Sequence, residues 1–171
     1  MKHATLQIKN WEFKVTSNDY LQYKGKMGRG VTIYNLYGKE LLHFSTKKAN
    51  FVLLRSNRIL SFDIYVDQQI HGSLFPYEES LGRAFLYYQG HNYEIVAGEF
   101  QEKDAYILLQ DNQSVALIIK DKDYEIYTRQ SDKTSLCAML AIHIRFLGLK
   151  KIDRTAFLLY IEPDFLKIMN N

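Results

Sequence analysis

A single cysteine, Cys137, leaves no pair for an intramolecular disulfide, so packing rather than cross-linking must stabilise the fold. Prolines are equally scarce: only Pro76 and Pro163 occur in 171 residues, which leaves few obstacles to extended sheet. No apolar run reaches the roughly 20 residues needed to span a bilayer as a helix. An excess of one charge sign is missing too. Twenty-two basic against 19 acidic residues give a formal net charge of +3, which permits attraction to phosphate or anionic lipid without demanding it. A dedicated nucleic-acid binder carries a stronger basic bias or a clustered stripe. The first ten residues hold no hydrophobic h-region, which predicts no secretory signal peptide and a cytosolic protein. No linker, low-complexity segment or internal repeat divides the chain, and residues 1–171 read as one domain.

What the chain does have is aromatic and β-branched residues in short alternating segments. Thirteen tyrosines and ten phenylalanines favour strands. In WEFKVT, Trp11, Phe13 and Val15 alternate with Glu12, Lys14 and Thr16, the period of a half-buried strand. Tyr20 to Lys24 is a second segment, followed by KGKMGRG (Lys24 to Gly30). Val31 to Tyr37 and Glu40 to Ser45, joined through Gly38-Lys39, predict a hairpin. Phe51 to Arg55 and Ser61 to Val66 flank Ser56-Asn57-Arg58. Asp67 to Gly82 is the least regular part, read as an extended connection with one short strand near Ser73 to Phe75. Alternation returns in Arg83 to Gln89, Tyr93 to Ala97, Ala105 to Gln110, Ser114 to Lys120 and Tyr124 to Thr128.

One stretch differs from all of these. Leu136 to Leu149 (LCAMLAIHIRFLGL) follows Ser131, Asp132, Thr134 and Ser135, which offer N-cap oxygens, and ends at Gly148 with Lys150 and Lys151 behind it. Leu136, Met139, Leu140, His143 and Leu147 share one helical face. Cys137, Ala138, Ala141, Ile142 and Phe146 leave the other nearly as apolar, so the helix belongs in a core or a membrane. Fourteen positions interrupted by His143 and Arg145 favour the core. The expected fold is therefore all-β with one central helix: a closed or nearly closed antiparallel barrel of about 12 strands around that helix. The tail from Ile152 reads either as a strand and a short helix or as two short helices.

The hairpin VTIYNLYGKELLHFS (Val31 to Ser45), the meander DKDYEIYTRQ (Asp121 to Gln130) and the directly attached LCAMLAIHI (Leu136 to Ile144) together resemble the tubby C-terminal-like fold. Tubby proteins, phospholipid scramblases and LURP-one-related proteins share that fold. The resemblance is one of pattern and covers about residues 10 to 149. It implies a helix-threaded barrel and, by analogy with tubby proteins, contact of surface lysine and arginine with lipid headgroups. The family's helix usually ends the domain, so the tail after Leu149 departs from it.

Lys24, Lys26 and Arg29, spaced by glycines in KGKMGRG, are the candidate anion- or lipid-binding residues. A P-loop is excluded because Val31 stands where its lysine belongs. Further basic groups sit at Lys47-Lys48, Arg55 with Arg58, Lys120 with Lys122, and Lys150-Lys151 with Arg154. Each alone reads as a solvated turn, and convergence at one barrel end would turn them into an anionic-surface patch. The histidines lack metal-ligand spacing, and no cofactor motif is present. Asp63 and Asp67, four apart, would share a strand face. Cys137 sits where burial disfavours a thiolate, and no nucleophile–base frame appears, so catalysis is not expected. Arg145 is expected at the barrel mouth, and His143 in a satisfied core hydrogen bond. The function expected is a non-catalytic binding module for anionic lipid or a phosphorylated ligand. A protein-interaction adaptor or, third, a hollow ligand-carrying barrel are the alternatives.

Overall fold

The computed structural model describes residues 1–47, 61–78 and 82–169. Among these residues twelve strands run in order: β1 (Lys2–Lys9), β2 (Glu12–Ser17), β3 (Tyr20–Met27), β4 (Val31–Tyr34), β5 (Glu40–Lys47) and β6 (Ser61–Val66). The meander continues with β7 (Gln69–Glu78), β8 (Arg83–Tyr88), β9 (His91–Phe100), β10 (Lys103–Gln110), β11 (Gln113–Lys120) and β12 (Tyr124–Thr128). Every strand pairs antiparallel with its sequence neighbour, and β1 closes on β12 through Lys2↔Thr128 to Leu6↔Tyr124. Closure leaves no free edge. The 51–55 segment expected as a strand lies outside the described residues.

β4 ends at Tyr34 rather than Tyr37, with the hairpin turn running from Asn35 to Lys39, and two strands differ more from the sequence reading. β1 begins the chain where no strand was expected: Ala4 and Leu6 point inward, but the segment's apolar amplitude is low. β7 is ten residues long rather than a short piece at Ser73 to Phe75. It tolerates Pro76 because the β7–β8 register slips between Pro76 and Glu78, at a bulge. Its leading turn is Asp67-Gln68, with both residues at positive φ (48° and 64°), as a two-residue hairpin turn requires. Asp67 is thus in a turn while Asp63 is in β6, so the two do not share a strand face.

Helix α1 (Thr134–Ile144) fills the barrel, and Leu136 to Ile144 are all at most 3% exposed. They pack against the inward residues of the staves, among them Leu6, Phe13, Ile33, Phe44, Ile64, Leu86, Ile95 and Ile126. Cys137, Ala138 and Ala141 occupy the fully enclosed middle, where small side chains let the wall approach. None of the expected N-cap oxygens caps α1. A 3-10 turn over Ser131–Lys133 feeds it instead, and the Thr134 hydroxyl donates to the Ser131 carbonyl at 3.0 Å. The stop is as read: a 3-10 turn over Arg145–Leu147 ends at Gly148, which adopts φ 65°. With the interior occupied by α1, a carrier reading loses the hollow it needs. Burial pushes the Cys137 thiol up to about 12. The thiol is expected to resist iodoacetamide at mildly alkaline pH in the folded protein and to react fully in urea; rapid native labelling, read by mass spectrometry, would contradict the enclosure.

The tail forms two short helices, α2 (Arg154–Leu158) and α3 (Pro163–Met169). They lie on the outside of the barrel over β9–β11. Phe157, Ile161 and Phe165 cover Val96, Phe100, Ala105, Ile107, Leu109, Leu117 and Ile119 in a second core. β9–β11 are therefore dry on both faces over much of their length. Gly98 permits this contact, since any β-carbon there would collide with the Phe157 ring.

Candidate functional site

The KGKMGRG segment is not one loop. Lys24 to Met27 belong to β3, and only Gly28 to Gly30 turn, with the Gly28 amide donating to the Gly30 carbonyl at 2.9 Å. Gly25 points inward beneath the Phe13 ring, which leaves no room for a β-carbon, so its role is packing. Lys24 and Lys26 consequently project from the outer face two residues apart. Arg29 sits apart in the exposed β3–β4 turn.

Lys24 and Lys26 border an open depression of about 1120 Å³ on the outside of β1–β3. Lys9, Lys14 and Lys122 line it too, with Trp11, Tyr34, Glu12 and Asp123. Among the described residues five lysines against two carboxylates make a local excess of three positive charges, equal to the formal net charge of the whole chain. Register builds the site. Lys14 lies directly opposite Lys24, and Glu12 opposite Lys26. Among the described residues none of the five lysines forms an ion pair with a carboxylate. Asp123 is engaged elsewhere, accepting from the Gln7 amide at 3.0 Å. Like charges directly opposed across two strands are unfavourable by a few tenths of a kcal/mol, about 0.2–1, unless an anion lies between them.

The other basic groups divide. Lys120 stacks over the Tyr124 ring at 4.4 Å, while its neighbour Lys122 reaches the depression. Lys151 is bound to Asp104 at 2.8 Å and Glu99 at 3.6 Å, which ties the tail to β9 and β10. Lys48, Arg55 and Arg58 lie outside the described residues. Arg145 is exposed beyond the end of α1, its guanidinium 4.6 Å from the Phe146 ring centre. It opposes the upward push that burial exerts on the Tyr124 phenol, which places it near the β11–β12 turn. His143 donates from Nδ1 to the Met139 carbonyl at 2.6 Å, a satisfied core position. Among the described residues no three His, Cys, Asp or Glu side chains gather as a metal site needs.

Sequence reading thus found Lys24, Lys26 and, among the further basic groups, Lys122, but did not connect Lys9, Lys14 and Trp11 with the site. Lys14 carried a usable signal, its outward phase in β2. Its meeting with Lys24 depends on register, which the pattern alone does not supply. No protein-family model, curated protein or solved structure matches the chain. No helix among the described residues is long and apolar enough to cross a membrane.

Proposed function

We propose that the protein is a non-catalytic binding module that takes a phosphate-bearing anionic ligand, foremost anionic phospholipid, into the lysine-lined depression on β1–β3. The observation that carries this reading is Lys14 facing Lys24 with no carboxylate paired to either among the described residues. An anion seated between them converts a mutual repulsion into two attractions. Peripheral association from the cytosolic side suits such a site, and the resemblance to tubby-like proteins agrees with it.

Neutralising the pair tests the reading. Each lysine near an anionic surface contributes about 1 kcal/mol, so Lys14→Gln with Lys24→Gln is expected to weaken binding to phosphatidylserine-containing vesicles roughly 30-fold. Both side chains are solvent-facing, so the fold should persist. Co-sedimentation at low and moderate salt measures it. Equal pelleting with neutral and anionic vesicles, or none with either, would sink the reading.

A protein-interaction adaptor is the second reading. Phe75, Tyr77 and Tyr87 on the outer face of β7–β8 are exposed, and Phe75 faces Phe85 across the strands. Partners that persist in a pull-down after lipid is removed would favour it.

A further inference from the structure

Trp11 is the one tryptophan of the chain, and it is 72% exposed. The sequence pattern placed it on the dry face of a strand with Phe13 and Val15, but it stands in the β1–β2 turn instead. The turn is fixed in place. Asn10 takes φ 58°, and the Trp11 carbonyl accepts the Met27 amide of β3 at 2.8 Å. A large indole held outward on a fixed support costs solvation that the fold itself does not recover.

Its surroundings identify what covers it. Lys9, Lys26 and Lys122 line the depression that Trp11 borders. In an up-and-down meander successive turns alternate between the two barrel ends, so the β1–β2, β3–β4 and β11–β12 turns share one end. Helix α1 starts from the opposite end, after β12, and leaves at this one. That end thus collects Trp11, Arg29, Lys122, Arg145 and the exposed Phe146. Aromatic rings beside lysine and arginine at a single edge are the chemistry of a membrane–water interface, where the ring sits at headgroup depth and the cations meet phosphate. Lys14 and Lys24 lie about 10 Å or less along their strands from the rim, within reach of the same headgroup layer.

We propose that Trp11 is an interfacial anchor and that the phosphate met by the lysine depression belongs to an anionic bilayer on which this barrel end docks. The inference rests on the lysine reading above and narrows it from a phosphate chemistry to a surface. A soluble phosphorylated ligand would be held by the lysines with Trp11 left in water.

Because Trp11 is the only indole, its own fluorescence reports the event. Titration with phosphatidylcholine vesicles containing phosphatidylserine is expected to shift the emission to shorter wavelength, and brominated lipids in the same vesicles should quench it. Inositol hexakisphosphate, a soluble probe of the same phosphate chemistry, should leave the emission maximum in its water-exposed range. Trp11→Ala is expected to weaken vesicle co-sedimentation about tenfold, from the apolar area an indole buries. Trp11 is exposed, and far-UV circular dichroism would show that the variant keeps its fold. Vesicle binding with unmoved, unquenched emission, or an equal shift from the soluble probe, overturns the anchor while leaving the lysine site standing. An emission titration midpoint unchanged in Lys14→Gln with Lys24→Gln overturns the lysine site, and with it the assignment of its ligand. Absence of vesicle binding overturns both.

Discussion

Phe157→Ala is expected to destabilise the whole barrel by about 3–5 kcal/mol, the usual cost of emptying a large aromatic site in a core. Phe157 is fully buried although it lies outside the barrel, seated on Gly98 of β9. The local chain is built to hold it there. The Asp153 carboxylate caps α2 by accepting the Thr155 and Ala156 amides at 3.0 and 3.2 Å, and the Ile152 amide donates to the Ala97 carbonyl at 3.0 Å. Farther along, Glu162 accepts the Ser114 amide at 3.1 Å and pairs with Arg129, while Arg83 reaches Tyr160. Emptying the Phe157 site therefore unseats a cover over Val96, Phe100, Ile107 and Leu117, which are otherwise an apolar outer wall. Urea unfolding provides the measurement, with Leu159→Ala as the control, because Leu159 is 85% exposed and its loss should cost little. A midpoint for Phe157→Ala that matches the control would mean that the tail is an appendage rather than part of the core.

This outer cover marks where the sequence was legible and where it was not. The barrel and its helix were readable because two periods sit side by side: alternation in the staves, and a run greasy all round in Leu136 to Leu149. Alternation of period two predicts a single dry sheet face. Yet Ala105 to Leu109 and Val115 to Ile119 are almost continuously apolar, which is the signature of strands covered on both sides. That run already called for something outside the barrel, and AFLLYI with FLKIM was the one unassigned apolar material available. β7 escaped for a different reason. Asp67-Gln68 turns without glycine or asparagine, so the usual hairpin punctuation is missing.

The candidate site shows the same limit at finer scale. The two-residue turn Asn18-Asp19 pairs Ser17 with Tyr20 and Thr16 with Leu21, and carried on regularly it would set Lys14 against Tyr23. A bulge between Val15 and Thr16 adds one residue on β3, and Lys14 meets Lys24 instead. It also brings Gly25 under Phe13, the one partner that the ring's position allows. Residue types and phase were visible in the sequence, whereas the bulge that joins the two lysines follows from packing around Phe13. Trp11 was misplaced by extending strand alternation one residue too far into a turn.

His143 supplies the second large effect, on stability against pH. Its ring is wedged between Phe44 and Phe62, with ring centres 4.7 and 4.6 Å away, and burial lowers its pKa from 6.5 to about 4. The bond to the Met139 carbonyl pulls the other way, while Arg145 and His43 add to the lowering. The folded protein thus holds His143 neutral where the unfolded chain protonates it. Between pH 6.5 and about 4 the unfolded state binds more protons, so stability falls as pH falls through that window and this group adds no further loss below it. At 1.36 kcal/mol per pKa unit, the full contribution is about 3 kcal/mol. Carboxylates titrate in the same range, so the comparison has to be between variants. His143→Leu keeps a side chain of core character and should show a pH dependence shallower by that amount between neutral pH and pH 4, measured by urea unfolding at each pH. Parallel curves for the two proteins would mean that His143 is protonated inside the barrel, an outcome that its aromatic enclosure and the adjacent Arg145 oppose.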